Sequence, residues 1–325
     1  MLEAAIVGLG RWGQRLVDSV SSPASGRIRF TRGVVRTSPA ARSYLERRGI
    51  AAATWEAVLA DPAVKAVVLA TPHTQHAEQV IAAARAGKHV FCEKPFTLEA
   101  NGARASVQAC EKAGVVLALG HNRRFLPAMM EIAQRVKGGA LGEILHLEGN
   151  FSGNFGLAYK PGMWRATREE SPAGGMTAMG IHIIDAFVSL AGRASWVRCE
   201  SHRRAVPVDM DDTTSVLMGF RSGATGYLGT MVATGRIVRV QAFGTKGWLH
   251  LLDHHILEIG DIDGKVERRE YPKIDAERAE LEAFADAVEG RSAYPVPPDE
   301  AIHGIEIMEA AVRSAERDAE KILLA

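Results

Sequence analysis

Short apolar runs alternate with segments of helical spacing over the first third of the chain. The predicted strands are AAIVGLG, RIRFTRGVVR, AVKAVVLATP, HVFCEK and VVLALG, and helix-like segments such as RWGQRLVDSVSS lie between them. Ser38 is predicted to cap the second helix and Gly49 to end it. Because apolar strands that alternate with helices are buried on both faces, the pattern predicts a parallel sheet covered by helices.

The pattern changes after residue 121. Strand-like runs separated by Gly, Asp and charged turns fill most of residues 195–272, which predicts an antiparallel meander. Two helices are predicted to close the chain, DAERAELEAFADAVEG and DEAIHGIEIMEAAVRSAERDAEKILL. A run of strands outside the βαβ repeat predicts a second domain of α+β type, so we predict domains over 1–121 and 122–325.

The segment GGMTAMGIHIIDAF, residues 174–187, is predicted as part of a helix over 174–192 that is apolar on almost every side. On a helical wheel, Ala178, His182, Asp185 and Ser189 share one stripe. A buried His–Asp pair is either a satisfied structural pair or a proton-handling group that faces a substrate. The spacing alone leaves both interpretations open.

The composition limits the classes of molecule that the protein is expected to bind. The 325 residues are 47% hydrophobic and 24% charged, which is typical of an ordinary globular protein. Lys and Arg number 39 against 38 Asp and Glu, so neither nucleic acid nor a membrane surface is an expected partner. No apolar run approaches the ~18 residues of a membrane span. The 3 cysteines lack CxxC spacing, and the start of the chain lacks a basic segment, so we expect no metal site and a cytoplasmic location.

Gly8, Gly10 and Gly13 have the GxGxxG spacing of dinucleotide-binding turns. They follow a predicted strand and open a predicted helix, which is the context that the motif requires. Gly8 would allow the tight turn, Gly10 the approach of a pyrophosphate, and Gly13 the packing of helix on strand. The alternative is a glycine-rich turn that binds no ligand.

The end of the second predicted strand bears on the choice of cofactor. Folds of this kind that bind NAD usually place Asp or Glu there, whereas this chain has Arg36, Thr37 and Ser38. A guanidinium and two hydroxyls suit a 2′-phosphate, so NADP is favoured over NAD. The alternative is that Arg36 stacks on the adenine ring of NAD.

Glu93 and Lys94, in FCEKPF, lie at the end of the predicted strand HVFCEK, at the sheet edge where such folds bind ligands. Pro95 could be in the cis state. Oxidation of a secondary alcohol needs a base that titrates near neutrality, which His182 supplies, and positive charge beside the oxygen, which Lys94 supplies. The alternatives are a surface lysine and a structural histidine.

Five segments together resemble the Gfo/Idh/MocA oxidoreductases, named after glucose–fructose oxidoreductase and inositol dehydrogenase. They are GLGRWG, ATPHTQHAEQVIAAARAGKHVFCEKPFTLE at 70–99, GHNRRFLPAM at 120–129, MWR at 163–165 and GGMTAMGIHIID at 174–185. The resemblance implies an α/β protein, with an N-terminal Rossmann domain and a C-terminal α+β domain whose open, mostly antiparallel sheet often forms a homodimer or homotetramer interface.

The resemblance also implies roles for single residues. Lys94 and His182 match the catalytic pair, and Lys94 is also expected to contact both nicotinamide and the substrate. The other expected cofactor contacts are Gly8, Gly10, Arg11, Trp12, Gly13, Arg36, Thr37, Ser38, Thr71, Pro72, His73, His76, Glu93 and Asn122. The other expected substrate contacts are Arg123, Trp164, Arg165 and Asp185.

One departure from the family pattern concerns Ala178, where relatives often have an aspartate that grips a sugar hydroxyl. We therefore predict an NAD(P)-dependent dehydrogenase or reductase for a sugar, polyol or related small molecule, with the sugar orientation open. One alternative is a cofactor-bound sensor or scaffold without turnover. Another is an enzyme that uses tightly held NAD for transient oxidation during hydrolysis or elimination.

Overall fold

The computed structural model describes residues 1–21, 25–35 and 38–324 and divides into two compact units. The first unit comprises Met1–Thr97, Asn101–Asn122 and Asp275–Pro298, and the second comprises Leu98–Ala100, Arg123–Ile274 and Asp299–Ala325. The main crossing after Asn122 lies one residue from the predicted boundary. The segment 275–298 differs from the prediction, because the apolar side chains of its helix complete the core of the first unit.

The first unit contains a six-stranded sheet of order β3-β2-β1-β4-β5-β6, and all its pairs are parallel. This order is that of a Rossmann fold, as predicted. The strands are β1 Leu2–Val7, β2 Ile28–Val34, β3 Ala51–Ala53, β4 Ala66–Leu69, β5 His89–Cys92 and β6 Leu117–Leu119. The helices are α1 Arg11–Val20, α2 Pro39–Arg47, α3 Trp55–Ala60, α4 His76–Arg85 and α5 Ala100–Ala113, with α8 Ala276–Val288 from later in the chain.

Local signals in this unit act as the sequence indicates. The Ser38 hydroxyl oxygen accepts the amide proton of Ala41 at 3.3 Å, which caps α2. Gly49 follows the end of that helix with φ of 65°, a conformation that favours glycine. Strands β4 and β5 are buried at almost every position, because helices cover both faces of a parallel sheet.

The second unit contains a nine-stranded sheet of order β14-β13-β12-β11-β7-β10-β9-β8-β15. Its strands are β7 Ile144–Ser152, β8 Ala194–His202, β9 Thr213–Phe220, β10 Thr225–Met231, β11 Ile237–Gly244, β12 Gly247–Leu252, β13 Ile256–Asp261, β14 Val266–Glu270 and β15 Ile322–Leu323. Its helices are α6 Pro127–Lys137, α7 Gly180–Ala191 and α9 Pro298–Ala315. The seven predicted strands between 195 and 272 are all present.

The predicted meander is wrong at one point, because β7 lies between β10 and β11. Strand β7 runs parallel to β10 and antiparallel to β11. Ile183 and Phe187 of α7 pack directly over Gly149 of β7, where a side chain would overlap with them. The sheet is therefore mixed, with a central strand taken from outside the meander.

Two predicted helices are shorter in the structure. The helix predicted over 174–192 begins only at Gly180, and a short 3-10 turn, Gly174–Met176, precedes it. A side chain at Gly175 would lie 2.7 Å from the Thr230 hydroxyl, so tight packing on β10 shapes this segment. The last helix ends at Ala315, because Asp318 and Ala319 have φ of 49° and 57° and the chain then forms β15.

Candidate active site

Two positions of the turn between β1 and α1 must be glycine because of contacts within the chain. Gly8 has φ of 92°, and a Cβ there would lie 2.5 Å from the Ala70 carbonyl oxygen. A Cβ on Gly13 would overlap with the Gly8 carbonyl oxygen. Gly10 differs, since a Cβ there would meet no atom of the described residues within 4 Å. The space over Gly10, at the N-terminus of α1, therefore fits a pyrophosphate that approaches the backbone.

The two residues after Gly10 extend this turn. Arg11 is exposed, and Trp12 is half-buried against the core of the unit. The first turn of α1 carries no acidic residue, so its positive end is not neutralised by its own side chains. The predicted contacts Arg36 and Thr37 lie outside the described residues.

His76 joins the loops that follow β4 and β5. Its Nδ1 lies 2.9 Å from the Pro95 carbonyl oxygen and its Nε2 lies 3.1 Å from that of Thr71. The side chain is fully buried, and burial lowers the pKa of this imidazole. The sequence predicted a cofactor contact for His76, but the protein encloses the ring. We therefore describe His76 as a residue that positions the two loops.

Three other predicted cofactor contacts, Thr71, Pro72 and His73, lie on the loop that follows β4. Thr71 and Pro72 are half-buried at the carboxyl end of β4, and the Thr71 hydroxyl donates to Gln79 at 2.6 Å. His73 is only 4% exposed, with its ring centroid 5.9 Å from that of His76. This loop is thus anchored on α4 through Gln79 and His76, and Thr71 and Pro72 remain partly accessible.

Glu93 and Lys94 follow β5 directly, as predicted. Lys94 is half-buried, and its backbone amide donates to the Glu93 carboxylate at 3.2 Å. Burial raises the pKa of Glu93, and the Lys94 ammonium opposes that rise. The Lys94–Pro95 peptide bond is cis. The carboxyl end of β5 therefore carries a buried carboxyl group and a partly accessible ammonium group side by side.

Asn122 is held by a contact that spacing in the sequence does not show. Its side-chain amide donates to Glu277 at 2.9 Å, and Arg15 donates to the same carboxylate at 2.8 Å. Asn122 is 1% exposed. Glu277 lies on α8, so the return of that helix to the first unit fixes Asn122 beside the end of β6.

In the second unit, His182 lines a small cavity of about 20 Å³, which has room for about one water molecule. His182 is 5% exposed, and its ring centroid lies 5.9 Å from that of Phe151 on β7. The Arg123 guanidinium lies 5.5 Å from the same ring. His254, which the sequence analysis did not single out, also lines the cavity. Imidazole and guanidinium groups thus surround one phenyl ring.

Asp185 has a partner other than a substrate. Its two carboxylate oxygens accept from the Arg124 guanidinium at 3.0, 3.0 and 2.7 Å, and Arg124 also contacts Glu300 at 2.6 Å. The Asp185 side chain is 5% exposed and that of Arg124 is 13% exposed. Both carboxylate oxygens of Asp185 are therefore bound by Arg124. The predicted substrate contact of Asp185 is wrong, and the residue forms a buried ion pair instead.

The remaining predicted residues lie away from the His182 cavity. Trp164 and Arg165 form a 3-10 turn in which the guanidinium stacks 4.5 Å from the indole centroid, and Trp164 is 38% exposed. Neither residue lines the cavity. Ala178 precedes α7 and packs near Met179, so the predicted stripe of four residues is wrong at its first position.

Candidate metal clusters and membrane-spanning helices are absent from the described residues, 1–21, 25–35 and 38–324. Within these ranges no group of three or more His, Cys, Asp or Glu side chains could hold a metal ion. No helix within them is long and apolar enough to cross a membrane. All three cysteines, Cys92, Cys110 and Cys199, are buried and free.

Curated relatives are similar over part of the chain. Levoglucosan dehydrogenase of Pseudarthrobacter phenanthrenivorans is 28% identical over 59% of this chain and 56% of its own length. Trans-1,2-dihydrobenzene-1,2-diol dehydrogenase of Mus musculus is 27% identical over 76% and 73%. The NADP(+) scyllo-inositol 2-dehydrogenase of Bacillus subtilis is 26% identical over 80% and 79%. The chain spans about half the length of several relatives that it matches, including levoglucosan dehydrogenase.

Solved structures are similar over the whole chain. Aldose–aldose oxidoreductase from Caulobacter crescentus, crystallised with glycerol, has a TM-score of 0.88 at 25% identity and covers 99% of both chains. Levoglucosan dehydrogenase with NADH and L-sorbose also has a TM-score of 0.88, at 22% identity, over 100% of this chain and 99% of its own. At that identity the second structure supports the fold alone.

Two family profiles match the chain in sequence order. The first, described as an oxidoreductase family with an NAD-binding Rossmann fold, matches residues 2–121. The second, the C-terminal domain of the same family, matches residues 129–250. Together with the Rossmann strand order and the glycine turn, these matches show that the chain belongs to the Gfo/Idh/MocA family of oxidoreductases.

Proposed function

We propose that this protein is an NAD(P)-dependent oxidoreductase that transfers a hydride between nicotinamide and a carbonyl or secondary alcohol of a sugar, polyol or related small molecule. The observation that carries the proposal is the open space over Gly10, in a turn where Gly8 and Gly13 are fixed by contacts within the chain. The relatives named for sugar, inositol and diol substrates support the substrate class.

The bound nicotinamide would accept the hydride from the alcohol carbon, or return it to the carbonyl. In the oxidation, the ammonium of Lys94 stabilises negative charge on the substrate oxygen as its proton leaves. The imidazole of His182 takes that proton while the C–O bond becomes a carbonyl, and it returns the proton in the reduction. Glu93, buried beside Lys94, keeps the end of β5 in place.

We propose NADP as the preferred cofactor. The first turn of α2, the helix that follows β2 in the chain, carries no acidic residue that would repel a 2′-phosphate. Arg36 supplies a guanidinium at this point in the sequence, and the Ser38 hydroxyl can donate its proton while its oxygen caps α2. Arg36→Asp is expected to move the ratio of kcat/KM values from NADP towards NAD, and an unchanged ratio would remove Arg36 from the 2′-phosphate site.

We also propose that the protein is a homo-oligomer, a homodimer or homotetramer, in the cytoplasm. On the sheet face opposite α7, Leu217 and Tyr227 are cross-strand neighbours that remain 42% and 39% exposed, with Ile237 at 44% on the same face. The free cysteines suit a reducing compartment. Light scattering after gel filtration tests the assembly: Tyr227→Lys should lower the mass, and a wild-type monomer would contradict the proposal.

The test of the activity is a panel of levoglucosan, inositols, aldoses and cyclic diols, measured with both cofactors in both directions by the absorbance of the reduced nicotinamide. Turnover of at least one substrate is expected, and Lys94→Ala should lower kcat by ~10²-fold or more because the charge on the developing oxyanion is lost. Equal turnover by Lys94→Ala would refute the role of Lys94. Tight nucleotide binding without turnover of any substrate would refute the enzyme and favour a sensor.

A further inference from the structure

We infer that His254, on the turn between β12 and β13, is a further substrate-contacting residue, which selects polyhydroxylated substrates by hydrogen bonding one of their hydroxyl groups. This inference rests on the proposed function, because it assumes that His182 exchanges the proton of a bound alcohol. His254 would not exchange that proton. His254 would instead determine which substrates bind with a hydroxyl group beside His182.

The first support is the position of His254. It lines the same cavity as His182, in a lining that is otherwise mostly Leu, Met, Val, Ile and Ala side chains. Its ring meets the Phe151 ring edge-on, with centroids 6.1 Å apart. Because His182 and Arg123 lie 5.9 and 5.5 Å from the centre of the same ring, the polar groups of the cavity are grouped around Phe151.

The second support is that the turn holds His254 in place. The amide of Asp253 donates to the Val238 carbonyl at 2.9 Å, and the Asp253 carboxylate lies 2.8 Å from the Arg236 guanidinium. After the turn, the carbonyl of His255 accepts from the Tyr271 amide at 2.7 Å. Contacts on both sides of His254 thus fix the backbone of the turn that carries it, and selective recognition requires such a rigid support.

The third support is the chemistry of the ring. Burial lowers the pKa of His254 to about 4, and the nearby charges of Arg123 and Arg236 act in the same direction. At neutral pH the ring therefore carries one donor and one acceptor, the same pair that a hydroxyl group offers. Its Nδ1 is buried and makes no hydrogen bond within the described part of the chain. A buried polar atom of this kind points to a water molecule or a ligand as its partner.

The experiment uses three substitutions and one control. His254→Ala removes the ring, His254→Gln keeps a donor and an acceptor, and His254→Phe keeps the ring without either. His255→Ala is the matched control, because it changes the next residue of the same turn, whose ring lies 3.8 Å from the Asp253 and Glu270 carboxylates. The probes are scyllo-inositol, levoglucosan and trans-1,2-cyclohexanediol, with the urea midpoint of each variant as the test of folding.

We expect His254→Ala to lower kcat/KM for the best polyhydroxylated probe about tenfold, mainly through KM, which corresponds to one hydrogen bond. His254→Gln should recover part of the loss and His254→Phe should not, while His255→Ala should behave as the wild type. The pH profile of kcat/KM should stay unchanged in the active variants, since His254 does not exchange the proton. The diol, with fewer hydroxyl groups, should lose less.

Three outcomes would overturn the inference. If the wild type turns over a probe and His254→Ala matches it, the inference alone fails. If His254→Phe restores activity and His254→Gln does not, the ring only packs. If the wild type neither binds calorimetrically nor turns over any of these probes or any member of the wider panel of inositols, aldoses and cyclic diols, the proposed function fails and the inference fails with it. The urea midpoint separates these cases from misfolding, and the milder Gln and Phe variants then decide between hydrogen bonding and packing.

Discussion

The buried Arg124–Asp185 pair predicts how substitutions at these two residues change the free energy of unfolding. Arg124→Met would leave the Asp185 carboxylate, 5% exposed, without the guanidinium that now occupies both its oxygens. Removing one partner of a buried pair costs about 3–5 kcal/mol. Asp185→Asn should cost less, about 1–3 kcal/mol, because the amide keeps one acceptor and Glu300 still contacts Arg124 at 2.6 Å.

The double variant Arg124→Met/Asp185→Leu removes both charges and fills their volume, so it should recover most of the stability lost in Arg124→Met. Urea denaturation followed by tryptophan fluorescence would give the free energies, and the coupling follows from the double-mutant cycle. Losses that simply add would refute the buried-pair reasoning. A stable double variant with a greatly raised KM would instead restore the substrate contact predicted from the sequence.

Two further predictions concern the glycine turn and a buried histidine. Gly10→Ala should weaken NADP(H) binding in a fluorescence titration without lowering the melting temperature, whereas Gly13→Ala should lower both because its Cβ overlaps with backbone. The His303 Nε2 accepts the Ala194 amide at 2.8 Å, and burial lowers the pKa of His303 below 6.5. The unfolded chain therefore takes up a proton first, so this stabilisation is complete above pH ~6.5 and is lost as the pH falls. His303→Gln should flatten the fall of the urea midpoint between about pH 7 and 5, and an unchanged slope would contradict this reasoning.

Sequence patterns predicted the elements better than their ends. The apolar runs became strands β1 to β6, except that the short β3 was not predicted, and the seven runs after residue 195 became strands as well. The start of α7 was missed because Gly175 and Gly180 are shaped by packing against Thr230 and Met176, which helical periodicity does not record. The last helix ended early for a similar reason, since residues 322–323 pair with β8.

The site shows the same division. The glycine turn and the position of the Glu93-Lys94 pair could be predicted from the sequence, because their chemistry depends on neighbours a few residues away. The contacts of Asp185 and His254 could not be predicted from the sequence. The partner of Asp185 lies 61 residues earlier in the chain. His254 and His182 are distant in sequence and come together only as side chains that line the same cavity beside Phe151.

The sequence by itself determined five of the six strands of the Rossmann unit, the glycine turn and the placement of Lys94. Each of these follows from short-range periodicity, backbone freedom or strand direction. Only the tertiary structure decided that β7 enters the centre of the second sheet, that α8 returns to the first unit, and that Asp185 is neutralised by Arg124. The physical reason is that burial and charge pairing join residues distant in the chain, and their free energy depends on distances in space that a linear pattern does not contain.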